Sequence, residues 1–249
     1  YYKPNHFVSV SSMAYRMTRN GAGLASICIL LTMVLVMLSS TSCLFFGVEE
    51  SLHIRYPREI TVDAYVADPE NGDYEDFAPV RDYIDSILGD YDAVRENVMD
   101  YRVAELSGQM FGSELELDPN NMVVSSANVY GDVRIVNFVP LEDYNRMSGA
   151  DYTLEQDEVL VYAFRTPYDK EELELRGTGL RFHVKEHLSE FPIDGDSASN
   201  VMSSLYVVVP DFENTLKPLY DMRASNGSDL LEIHWRCGFD TNIDAETQK

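Results

Sequence analysis

From Gly21 to Val48 the chain runs 28 residues without a charged side chain, and Ile27–Leu38 within it is a solid block, Ile-Cys-Ile-Leu-Leu-Thr-Met-Val-Leu-Val-Met-Leu. Ala22–Phe46 alone makes about 37 Å of helix, enough to cross a hydrocarbon core of about 30 Å with some tilt. Ahead of it, Val10, Met13, Ala14 and Met17 form an apolar face, with Ser11, Ser12, Arg16 and Arg19 largely on the other. That is the pattern of a short amphipathic helix over residues 1–20, suited to a membrane surface. Three basic residues precede the apolar run and Glu49 and Glu50 follow it, so the positive-inside rule puts residues 1–20 in the cytoplasm, 21–48 in the membrane and 49–249 outside the cell.

Beyond Val48 the periods shorten. Ile54–Val66 alternates in part and predicts a strand, followed by an acidic, turn-rich stretch from Asp68 to Asp76. Phe77, Val80, Tyr83, Ile84 and Ile87 recur at helical spacing, with Pro79 near the start and Gly89 at the end. Strands are predicted at Asn97–Ala104, Glu114–Leu117, Met122–Val124 and Val129–Val139, then a helix at Leu141–Met147 stopped by Ser148-Gly149. Further strands follow at Val159–Arg165, Leu173–Leu175, Leu180–Val184, Leu205–Val209 and Leu230–Trp235. Ser197–Ser204 reads as helix or loop, and Asn226-Gly227 as a hairpin turn. Strands and short helices alternate without a regular β-α-β rhythm. The expected fold is one transmembrane helix followed by a mixed α+β domain, with Gly149 a candidate hinge between two lobes.

Charge sharpens this division. All 42 acidic residues lie beyond Val48 against 16 of the 19 Lys and Arg, so that part carries a net charge of −26. Such a domain repels nucleic-acid phosphates, which excludes nucleic-acid binding, and its field favours cations, cationic peptides and solubility. Two of the three cysteines, Cys28 and Cys43, fall in the apolar run, leaving Cys237 alone in the domain, where it reads as a small buried hydrophobe. No disulfide can form within that domain, which suits a bacterial setting.

Two cleavage readings compete with the membrane helix. A secretory signal has an apolar region of about 7–15 residues, and this one is longer. Ser40-Thr41-Ser42-Cys43 is similar to a lipoprotein site, but Ser40 stands where a bulky aliphatic residue is expected. Ser39, Cys43 and Gly47 recur at every fourth position, a small-residue stripe along which another helix can approach. The chain opens Tyr-Tyr-Lys-Pro without an initiating Met, as a piece of a longer protein would.

Motifs for chemistry fail on context. His183-Val184-Lys185-Glu186-His187 matches the HxxEH order of inverted zinc peptidases, but Leu180–Val184 alternates like a strand, so the two imidazoles do not converge. Asp68–Asp73 has the look of a calcium loop without the later bidentate Glu. No G-x-S-x-G elbow organises a Ser-His-Asp set, and there is no Walker-type loop. No catalytic, cofactor-binding or metal residue is therefore assigned, and any ATP hydrolysis belongs to another subunit.

Tyr1–Met17, Tyr-Tyr-Lys-Pro-Asn-His-Phe-Val-Ser-Val-Ser-Ser-Met-Ala-Tyr-Arg-Met, running into Gly23–Thr41, resembles FtsX-like ABC-transporter permeases, above all the bacitracin-resistance type of Gram-positive bacteria. The match is carried by about the first 60 residues. The resemblance implies the seventh of ten spans followed by the large extracellular domain, in a multi-pass cell-membrane protein. The implied partners are an ABC ATP-binding subunit, the other transmembrane helices of the permease and a sensor histidine kinase. The implied ligand is a cationic antimicrobial peptide or its lipid-linked cell-wall precursor, held in a groove lined by some of the domain's tyrosines. The alternative within the same superfamily is a membrane regulator of a cell-wall hydrolase, an interaction module; a surface enzyme on a single anchor is a third reading. Mass spectrometry of the mature protein is expected to find residues 21–48 intact, and a new N-terminus at Cys43 would remove the membrane span.

Overall fold

A computed structural model describes residues 4–55, 58–66, 77–123, 125, 132–192, 202–227 and 231–243. The acidic stretch Asp68–Asp76 and residues 197–201 fall outside these. The chain divides into two compact units, Tyr1–Ile54 and Arg55–Lys249.

The first unit is a single helix, α1 (Pro4–Arg55), of 52 residues. Its segment Ser9–Val48 is long and apolar enough to cross a membrane, and none of it is buried in the chain. Its hydroxyls turn inward: Ser26 donates to the carbonyl of Ala22, Thr32 to Ile29 and Thr41 to Met37, so that polar atoms are satisfied within the helix. Two expectations need correction. The amphipathic segment is no separate helix but runs without a break through Asn20-Gly21, because no proline interrupts it. The following strand does not begin at Ile54, since Ser51–Arg55 continue α1.

The second unit is a mixed nine-strand sheet with helices, an α+β fold. Its strands are β1 (Ile60–Val66), β2 (Arg95–Phe111), β3 (Glu114–Glu116), β4 (Val133–Pro140), β5 (Glu158–Phe164), β6 (Glu172–Leu175), β7 (Leu180–His187), β8 (Ser203–Val209) and β9 (Ile233–Thr241). Its helices are α2 (Ala78–Asp90), α3 (Leu141–Ser148) and α4 (Phe212–Ser225). The 17-residue β2 organises the sheet. Along one side it pairs first with β9 and then with β3, and along the other with β4. From β4 the ladder runs through β8, β5, β7, β6 and β3 and so returns to β2, closing into a ring, while β9 and β1 extend from it. Closure leaves no free edge within the ring.

Leu106, Val136, Phe138, Val159, Leu173 and Val207 fill the inner face together with Trp235 and Phe239 of β9 and Phe212, Leu216 and Leu219 of α4. The other face carries a second cluster, Tyr101, Val103, Val139, Leu160, Tyr206 and Val208, covered by Tyr144 of α3 and by Phe191. β8, Ser-Ser-Leu-Tyr-Val-Val-Val, is buried at every position because both its faces are covered. Gly108 lets β2 run past Ala104, where its prediction stopped: a Cβ there would meet side-chain atoms of Leu115 and Val136 at 2.8 Å. The strands can close at this point only because position 108 has no side chain.

Other departures are local. Gly149 caps α3 with φ 68°, as a stop signal should, but it is no hinge between lobes: β4 before it and β8 after it are paired neighbours in one sheet. Met122–Val123 are not a strand; the side chain of Gln109 instead exchanges two hydrogen bonds with the backbone of Val123, at 2.7 and 3.0 Å. α4 was not expected. Asp211 caps it by accepting from the Asn214 amide, and Asn226-Gly227 closes it instead of making a hairpin.

β1 is held to β9 by a seven-residue antiparallel ladder, by Ile60, Val62 and Ala64 packed on the core, and by a cluster of charges. His234 Nδ1 lies 2.9 Å from Asp63 Oδ1, and Arg236 donates to Asp63 Oδ2 at 3.3 Å. The hydrogen bond to Asp63 holds the His234 imidazole above its ordinary pKa against partial burial. Burial alone would raise Asp63, but His234 and Arg236 hold it below the usual carboxylate range. His234 therefore adds stability that is complete below its unfolded pKa of about 6.5 and is lost as pH rises through its higher folded value. The gap in unfolding midpoint between the wild type and His234→Gln, read by fluorescence of the single Trp235, is expected to be largest near pH 6 and to shrink by about pH 8.5. A constant gap would show that the pair carries no titrating charge.

Candidate functional site

Among the concavities of the second unit that gather polar side chains, two differ sharply in how their charges are met. The larger, about 670 Å³, lies between α2 and β2 and brings Arg81, Arg95 and Arg146 together with Asp85 and Asp100. Its charges are already matched. Arg81 reaches Asp100 at 3.0 Å, Arg95 reaches Asp85 at 2.8 Å, and Arg146 reaches Asp100 at 3.2 Å and Asp143 at 2.9 Å. Asp100 also accepts from the Trp235 indole at 3.3 Å, and the Arg81 guanidinium lies 5.2 Å from the centre of that ring. This groove is an internally paired seam between elements.

The second, about 500 Å³, is built differently. Tyr144 and Met147 of α3 form one wall, Tyr152 the rim, and Glu186, Glu190 and Phe191 the opposite side. The aromatic rings form a continuous stack: Tyr144 to Tyr152 at 6.0 Å, Tyr144 to Phe191 at 5.3 Å, and Phe191 onto Tyr206 at 4.5 Å. Tyr152 donates to Glu186 at 3.2 Å. Burial raises the pKa of Tyr144, and burial together with Glu186 raises that of Tyr152, so both phenols stay neutral. Among the described residues neither Glu186 nor Glu190 has a Lys or Arg partner. The nearest cation by sequence, Lys185, is committed to Glu158 at 2.7 Å and to the carbonyl of Thr153. Aromatic faces beside uncompensated carboxylates suit an organic cation, whose charge meets the carboxylates while its apolar body covers the rings.

The wall is fixed from behind. Asp143, 2% exposed, accepts from both the backbone amide (2.9 Å) and the Nε (3.0 Å) of Arg102, and Glu142 takes another guanidinium nitrogen. Burial opposes the charge on Arg102, but Asp143 and Glu142 hold its pKa above the ordinary value. One residue further along α3, Tyr144 faces the cleft. Asn145 then exchanges two hydrogen bonds with the backbone of Tyr152, at 2.9 and 3.0 Å, tying the rim to the helix.

The sequence motifs find their places here as well. His183 and His187 both lie on β7, which is a strand as expected. An irregularity after Val184 leaves His183 opposite Glu158 and His187 opposite Val161, on different faces of the sheet. Asp68–Asp73 lies outside the described residues. Cys237 is fully buried, and burial pushes its thiol pKa up, as for an inert packed side chain. Ser39, Cys43 and Gly47 lie on α1, where a Cβ at Gly47 would meet nothing within 4 Å among the described residues. No family model, curated protein or solved structure matches the chain.

Removing the guanidinium should leave Asp143 buried and short of its partner. Arg102→Met is expected to lower stability by about 3–5 kcal/mol, and the double variant Arg102→Met/Asp143→Leu to recover most of it, both by denaturant unfolding. A double variant no better than the single would show that α3 is held by packing instead.

Proposed function

We propose that this chain is part of the permease subunit of an ABC transporter for resistance to, or sensing of, cationic antimicrobial peptides. Its α1 is one span of a multi-pass membrane protein, and residues 49–249 are an extracellular domain that captures the peptide or its complex with a lipid-linked cell-wall precursor. The observation that carries this reading is the cleft of Tyr144, Tyr152 and Phe191 beside Glu186 and Glu190, on a domain whose net charge is −26. Charge of that size speeds the encounter with any cation, and the aromatic walls supply contacts that can discriminate. The exposed apolar length of α1 supports the reading too, since such a surface is covered by lipid or by other helices of a permease. ATP hydrolysis then falls to a separate ATP-binding subunit, and a sensor histidine kinase is a further partner.

The alternative, a regulator of a cell-wall hydrolase, draws its support from β1. Among the described residues that strand pairs with β9 alone, which leaves its other edge for a protein partner. Titrating the full chain in nanodiscs of zwitterionic lipid with bacitracin, a lantibiotic and a polylysine control, at low and at physiological salt, separates the two. Capture predicts weaker binding at higher salt for all three, with selectivity for the antimicrobial peptides retained once the field reaches only about 8 Å. If all three bind alike and binding vanishes at high salt, the acidity serves solubility and the regulator reading takes over.

A further inference from the structure

The outer face of the sheet holds polar groups that the fold leaves unsatisfied. Asn137 of β4 is 1% exposed, and among the described residues neither its Nδ2 nor its Oδ1 has a hydrogen-bond partner. Ser204 of β8 is also 1% exposed, and its Oγ is likewise unpaired. The β4–β8 register puts Asn137 opposite Tyr206 and Ile135 opposite Ser204, so the two orphans are diagonal neighbours. Alternation along β4 fixes the face. Val136 and Phe138 point into the core of the ring, whereas Asn137 shares its side with Val139, Tyr206 and Val208, the cluster that Phe191 and Tyr144 cover.

Leaving these groups without partners is costly, because each loses its water and gains nothing in exchange. A leucine would fit position 137 in shape and avoid the loss. Such groups are rare in folded proteins and call for an explanation, and a partner that arrives with a ligand is one. Phe191 gives the route. Its ring lines the cleft and lies 4.5 Å from that of Tyr206, the register neighbour of Asn137. Phe191 thus separates the cleft from Tyr206, and the compartment proposed below requires this ring to turn outward.

We propose that the cleft has an inner compartment behind Phe191, in which Asn137 and Ser204 exchange hydrogen bonds with a carboxamide of the ligand, a peptide amide or an Asn or Gln side chain. An amide is the complement of an amide, offering one donor and one acceptor side by side. A charged group does not suit this depth, since Glu105, opposite Asn137 on β2, is already paired with Arg236 at 3.0 Å. The cation of the same ligand stays at the rim with Glu186 and Glu190. This inference rests on reading the cleft as a cation site and adds the second chemical group recognised there.

Two probes separate the inner compartment from the rim: N-acetyl-lysine amide, and hexylammonium, which has the cation without an amide. Both are titrated by ligand-observed NMR against the full chain in nanodiscs, with unfolding followed by Trp235 fluorescence. The amide probe is expected to bind at least tenfold tighter than hexylammonium. Asn137→Leu should abolish that difference, leave hexylammonium unchanged and raise the unfolding midpoint by about 2–4 °C, since an unsatisfied buried group is removed. Ser204→Ala should reduce the difference in the same sense and serves if the leucine variant fails to fold. Equal affinities that neither variant alters would overturn the inner compartment and leave the rim standing. A fall in midpoint with an unchanged probe ratio would also overturn it, marking Asn137 as a structural group bonded to permanent water. Failure of both probes to bind would overturn the rim and the compartment together.

Discussion

The carboxylate of Asp143 is the fixed point of this domain. It is almost wholly buried, and it holds both the backbone and the side chain of Arg102, so α3 is pinned to β2 here, with Arg146 on Asp100 as a second, more exposed attachment. A buried charge tolerates little movement, because any lengthening of its bonds exposes the full cost of its desolvation. α3 starts directly after β4, at Leu141, so the anchor also sets how the strand hands over to the helix. One face of α3 then turns Arg146 to Asp100 and the other turns Tyr144 and Met147 to the cleft. The polar seam and the aromatic cleft are two faces of one short helix.

The basic residues are spent on the interior. Arg102, Arg236 and Arg134 are each buried, Arg81 is half-buried and Arg146 exposed, bonded to carboxylates or, for Arg134, to the carbonyls of Thr166 and Pro167. With few cations in the domain to begin with, this leaves its outer surface still more negative than the net charge implies. The acidity therefore has two physical parts: carboxylates paired with Arg or Lys, inside the domain and on its surface, and surface ones with no Lys or Arg partner among the described residues. Glu186 and Glu190 have no Lys or Arg partner among the described residues and lie beside the partly exposed Tyr152, with Tyr144 and Phe191 buried behind it, which is what distinguishes their cleft from the larger groove.

Strongly periodic elements were legible from sequence. The apolar run of α1, the helical spacing from Phe77 to Ile87, the Gly149 stop and the Val-rich β5 and β8 all follow from local pattern. α4 was hidden by Pro218, which reads as a helix breaker although Phe212, Leu216, Leu219, Tyr220 and Arg223 keep helical spacing around it. The end of β2 was hidden because the lack of a side chain at Gly108 matters only once Leu115 and Val136 are known to press on it. The members of the cleft of Tyr144 and Tyr152 were not legible in the sequence. Tyr144, Tyr152, Glu186 and Phe191 come from separate stretches, and what unites them is the order in which β8, β5 and β7 lie side by side.

The length of α1 has a mechanical meaning. Fifty-two residues in one helix make a rod of about 78 Å, against about 30 Å for the hydrocarbon core of a bilayer. The rod is thus more than twice as long as such a layer is thick, and with no proline in its interior to bend it, a small change in its inclination is carried to its ends undiminished. A tilt of about 10° at the centre swings each end sideways by roughly 7 Å, about the distance between neighbouring packed helices. The helix is in this respect a lever, and whatever grips one end of it is geared to the other.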